Sequence, residues 1–166
     1  LKKRLDSVRR KEKRYIVGIE TGNRPGKLGA ALVEVSGNGD DTVLYLRGFK
    51  SSVLAPEIVA ALRTITNDEQ LESEDLAGIN FLVLHHLSKL YEAVIEDAGV
   101  APGEVDLIGL KCLESGQLSF PVDPADLSDM TEHIVASHFR IAVSDGRGGF
   151  IPVEEALLKG MVSDMI

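Results

Sequence analysis

Two short stretches hold the residue types that could do chemistry. The first runs from Thr21 to Gly29, with Gly22, Asn23, Pro25 and Gly26 between. A tight glycine turn between two strands can aim its backbone N–H groups at a phosphate. Thr21, Gly22 and Asn23 are placed to do that, and Arg24 or Lys27 would add positive charge. A plain hairpin turn, whose glycines supply positive φ, accounts for the same glycines. The second stretch is Ser144-Asp145-Gly146-Arg147. Asp145 follows an apolar run, Ile141-Ala142-Val143, that reads as a strand. Ligands of open α/β sheets bind just past such strand ends. Asp145 would serve as a general base if its surroundings tuned its pKa, or it is simply a turn residue. Arg147 would pair with it or bind phosphate; a solvated surface position is the alternative.

Other reactive types offer less. His85 and His86 are consecutive on a helical pattern and point to different faces. His133 and His138 are five apart, the wrong spacing for a shared helical metal site. The lone Cys112 excludes an internal disulfide and a cysteine-based metal site. No metal ligands are expected. Glu20 and Asp145 could be two carboxylates of a metal-dependent nuclease, but a third ligand is missing.

These residues need elements to hold them. Tyr15–Ile19, Ala30–Val35 and Thr42–Arg47 read as three strands joined by glycine-rich turns, hence an antiparallel meander. Pro56 opens a helix carrying Ile58, Val59, Leu62 and Ile65. A long apolar stripe from Leu76 to Ala98 makes a second helix, which Gly99 stops. Val105–Leu110 is a fourth strand, 124–138 a helix, 141–143 a fifth strand, and Pro152 begins a last helix through Met161. The expected fold is therefore α/β: a five-stranded mixed sheet, three strands antiparallel and two parallel, with helices on both faces. That element order is the ribonuclease H-like one.

The chain has 166 residues and a net charge of −8. Residues 1–14 hold eight Lys or Arg against Asp6 and Glu12, a net +6, so the rest carries −14. A basic N-terminal extension over 1–14 followed by one domain over 15–166 is expected. The arm could touch an anionic partner or be a solvated leader. The acidic body repels nucleic acid, and 5% aromatic content weakens base stacking. No apolar run reaches the ~18 residues of a membrane span, and the basic start lacks a signal peptide's apolar stretch. A cytoplasmic protein without membrane partners is expected. The first residue is Leu, which points to residues upstream.

Order and spacing narrow the fold further. Gly18-Ile19-Glu20-Thr21-Gly22-Asn23-Arg24-Pro25-Gly26-Lys27-Leu28-Gly29-Ala30-Ala31-Leu32-Val33 resembles, without a gap, the opening G-L-M-S-G-T-S-x-D-G-x-D-A-A-L-V of the anhydro-N-acetylmuramic acid kinase family. Val105-Asp106-Leu107-Ile108-Gly109 is similar to the family's I-D-L-I-G strand. Ala142-Val143-Ser144-Asp145-Gly146-Arg147 is similar to its V-A-D-F-R strand end. The resemblance covers about residues 15–150. It implies one lobe of a two-lobed sugar kinase of the ribonuclease H-like superfamily, with ATP between the lobes. It places Asp145 on the base that activates water to open the 1,6-anhydro ring, after which the 6-oxygen takes the γ-phosphate. Two departures matter. The family's loop aspartates fall on Gly26 and Gly29, and glycine cannot position Mg²⁺. Its H-G-Q-T loop falls on Lys111, Cys112, Leu113 and Glu114. The chain also ends before a second lobe. The expectation is a degenerate, non-catalytic domain that binds a ligand or protein, with a homodimer or a second-lobe chain as partner. The alternative is an ATP- and Mg-dependent phosphotransferase completed by another lobe or subunit, with Asp145 as base.

Overall fold

The computed structural model describes residues 7–8, 10–21, 26–38, 41–66, 73–111, 122–137, 142–144 and 150–152. Strands β1 (Lys13–Glu20), β2 (Lys27–Ser36) and β3 (Val43–Val53) are followed by helices α1 (Pro56–Thr66) and α2 (Ser73–Asp97). Then come β4 (Val105–Lys111), α3 (Pro124–Thr131), β5 (Val135–Ser137), β6 (Ala142–Ser144) and β7 (Phe150–Pro152). Five strands form one sheet in the order β3-β2-β1-β4-β5. β1–β2 and β2–β3 are antiparallel, and β1–β4 and β4–β5 are parallel. This is the mixed sheet expected of a ribonuclease H-like domain.

The period-2 pattern of the strands decides which face is covered. Val17 and Ile19 of β1, Leu28, Ala30 and Leu32 of β2, and Ile108 and Leu110 of β4 share one face and are buried. Against them α2 lays Val83, Leu87, Leu90, Tyr91 and Val94, and α1 adds Ile58 and Leu62. Gly48 lets α2 approach β3. A Cβ there would lie 3.1 Å from the Val94 carbonyl oxygen. Gly99, at φ 66°, ends α2 as expected, and the Val100 N–H donates to the Ile95 carbonyl at 3.0 Å. That is a Schellman-type closure, which satisfies a carbonyl the helix would otherwise leave open.

The parallel β1–β4 pairing contains one irregularity. Tyr15 lies opposite Val105 and Ile16 opposite Leu107, so Asp106 is the extra residue. Its carboxylate takes the place of the missing ladder acceptor: Oδ2 accepts the Tyr15 N–H at 3.1 Å, and Oδ1 accepts from the Lys11 ammonium. The basic arm is thereby joined to the sheet where the strands begin.

Three expectations are corrected. The helix from Pro124 ends at Thr131, not at 138, because Glu132 turns into the left-handed region at φ 59°. Beyond it the Ile134 carbonyl accepts the Ile108 N–H at 2.9 Å and residues 135–137 pair with β4. The sheet's fifth strand is therefore 135–137. The run 141–143, expected in that place, contributes Ala142 and Val143 to β6, which pairs antiparallel with β7 in a separate two-stranded unit. Pro152 lies in β7 and does not open a helix. The remainder of that expected helix, 153–161, lies outside the described residues. The described helices pack against one face of the sheet.

Candidate functional site

The C-terminal ends of the parallel strands β1 and β4 meet at Glu20, Thr21 and Lys111. Glu20 is opposite Lys111 across the parallel pair and opposite Gly29 across the hairpin. Both charged residues are exposed, whereas Thr21 is buried at 1% exposure. The Thr21 N–H donates to the Lys111 carbonyl at 3.2 Å, which carries strand pairing one rung past the end of β1. That amide is committed to the sheet, so Thr21 cannot offer it to a phosphate in this arrangement. Of the expected phosphate loop, Gly22, Asn23 and Arg24 lie outside the described residues. So do Asp145 and Arg147. The structure thus positions one of the named site residues, Thr21.

The far side of the hairpin is described in full. Gly26 has φ 76°, a backbone conformation that favours glycine. Its carbonyl accepts the Leu54 N–H at 2.8 Å. A Cβ built on it would lie 2.4 Å from Cγ2 of Val59 on α1. Position 26 is therefore closed by packing and by backbone conformation together. Gly29 differs. A Cβ there would meet Cγ of Glu20 at 3.6 Å and Cε2 of Phe49 at 3.8 Å, which are ordinary contacts. Glu20 is a carboxylate whose side chain reaches Gly29 in this turn. The sequence marked it only as a weak nuclease ligand, since its role depends on cross-strand register.

Charge elsewhere is used structurally. Glu34 is held by Lys13 at 3.0 Å and by Arg47, whose Nε donates at 2.6 Å. Burial opposes ionisation of Glu34, but hydrogen bonds from Lys13 and Arg47 outweigh it and hold the carboxyl below its usual range. Tyr91 and His133 form a buried pair through the phenol oxygen and Nε2. Burial first, then the charge of Glu92, pushes the Tyr91 hydroxyl up to about 12. The phenol stays protonated at neutral pH. His133, whose spacing from His138 does not suit a helical metal site, joins the turn that leads into β5 to α2. A groove of about 620 Å³ runs along α3 past Ser128, Asp129, Glu132 and His133. It is lined by none of Glu20, Thr21 or Lys111. Among the described residues no group of three metal-binding side chains gathers, and no helix is long and apolar enough to cross a membrane.

No family model matches the chain. It is 25% identical over 176 aligned positions to an anhydro-N-acetylmuramic acid kinase of Caldanaerobacter subterraneus subsp. tengcongensis, covering 93% of this chain and 43% of that protein. The chain spans less than half the length of the curated relative it matches. Sheet order and this similarity together mark a kinase-like domain in distant relationship to that kinase.

Proposed function

We propose that the chain is a non-catalytic member of this kinase-like lineage that acts by binding a ligand or a protein. The observation that carries the reading is the closure of position 26. The kinase motif it resembles has an aspartate there, and here the backbone turns through φ 76° with Val59 against the site of a Cβ. A carboxylate is not merely absent; a Cβ there would have to displace the Val59 side chain and hold positive φ. Phosphoryl transfer relies on groups fixed around the phosphates before reaction. A turn that has given up its carboxylates at 26 and 29 has lost part of that set.

The test is direct. Purified protein is incubated with ATP, Mg²⁺ and 1,6-anhydro-N-acetylmuramic acid, and both phosphosugar and ADP are measured. The expected result is no product above the no-protein control, with or without the Asp145→Asn substitution. Phosphosugar formed by the parent and lost in Asp145→Asn would establish the competing reading, an ATP- and Mg-dependent phosphotransferase with Asp145 as base. Titration calorimetry with ATP and the anhydro sugar separately then tells ligand binding from turnover.

A further inference from the structure

β3 is an edge strand of eleven residues, and among the described residues no strand pairs with its outer side. Six of the ten large apolar side chains exposed among the described residues belong to it: Val43, Leu44, Tyr45, Leu46, Phe49 and Val53. Long apolar edges are templates for further pairing, and folds normally block them with outward charge, proline or a bulge. β3 has a bulge at Arg47, where Leu32 pairs with Gly48 but Val33 pairs with Leu46. Its two cations are already engaged within the chain, Arg47 by Glu34 and Lys50 by Asp97 at 2.8 Å. Residues 43–46 precede the bulge and contain neither charge nor proline. The usual blocking devices are missing from that half of the edge.

We propose that β3 pairs antiparallel with β3 of a second copy, joining two five-stranded sheets across a two-fold axis near Tyr45. A pairing centred there sets Leu44 of one copy opposite Leu46 of the other, twice by symmetry. Both leucines lie on the sheet face that also carries Val33, Val35 and Phe49. The run is self-complementary, which favours a second copy over a foreign strand. With the axis near Tyr45 the paired run is 43–47, so the exposed Val43, Leu44, Tyr45 and Leu46 of both copies enter the joined ladder, while Phe49 and Val53 lie outside it. The opposite edge, β5, is three residues long and too short to continue the sheet. Association by β3 is isologous and closes at two.

Sedimentation velocity on the full chain, from about 1 to 100 µM, tests this in the concentration range of specific association. The expected result is a discrete dimer with no larger species. Leu44→Lys with Leu46→Lys should weaken association at least ~100-fold, because opposed lysines replace opposed leucines. Phe81→Lys, on exposed α2 surface, should leave it unchanged. Amide exchange in the unaltered chain gives a second readout: protection within 43–47 should rise with protein concentration. A parent that stays monomeric at 100 µM overturns the proposal, whether or not β3 then takes up a foreign peptide. So does a dimer indifferent to the leucine substitutions, or protection at 43–47 that ignores concentration.

Discussion

Gly26 and Gly29 sit three residues apart in one hairpin and look interchangeable as letters. Their surroundings separate them. At Gly26, positive φ and the 2.4 Å approach of Val59 act together. Alanine where φ is positive is strained, and a displaced neighbour adds to the cost. Gly26→Ala should therefore destabilise by about 2–4 kcal/mol, and Gly29→Ala by less than about 1 kcal/mol. Denaturant melts of the two variants check this, and equal losses would contradict the packing argument. Glu34 makes a pH prediction. Its folded pKa is depressed, so its ionised form stabilises the fold above the usual carboxylate range. That contribution is lost as pH falls through the depressed value. Glu34→Gln should melt lower than the parent at pH 7 and show a shallower fall in melting temperature on acidification, so that the two curves converge near the acid end.

At the scale of elements, α2 organises the rest. It spans the sheet, receives α1 on one side and, through Tyr91 and His133, receives the turn that leads into β5. The pair belongs to the tertiary structure, because 42 residues separate its members. Tyr91 has a raised pKa, so its contribution is fully present below the ordinary phenol value of about 10 and fades as pH rises toward 12. Tyr91→Phe should cost about 1 kcal/mol at pH 7 by removing one hydrogen bond. It should also flatten the alkaline decline in stability between about pH 10 and 12. Thermal melts of both proteins across that range decide the matter; parallel declines would mean the phenol is not the titrating group. The α3 boundary belongs to this scale too. Residues 124–138 carry Leu127, Met130, Ile134 and Val135 at spacings that suit a helix. Ile134 and Val135 suit a strand equally, and the edge of β4, whose Ile108 N–H donates to the Ile134 carbonyl, settles the choice.

For the whole molecule, the sheet order and the distant kinase similarity describe a kinase-like domain whose parallel strands β1 and β4 end side by side. Glu20, Thr21 and Lys111 stand there. The absence of phosphosugar product and the β3 dimer are predictions of this scale, because each depends on what the complete fold exposes. The meander was legible in residues 13–53 because alternating apolar positions and glycine turns are local signals. The stop of α2 at Gly99 was legible for the same reason. The amino-acid sequence alone also determined the opening motif and its glycines at 26 and 29. Tertiary structure decided how those two positions differ: Val59, 33 residues away, closes position 26, while position 29 has ordinary contacts. It likewise turned Asp106 into a backbone acceptor and made 135–137 the fifth strand. Local pattern states what a segment can form, while the hydrogen-bonding edge or packed side chain that meets it, brought from elsewhere in the chain, selects which form it takes.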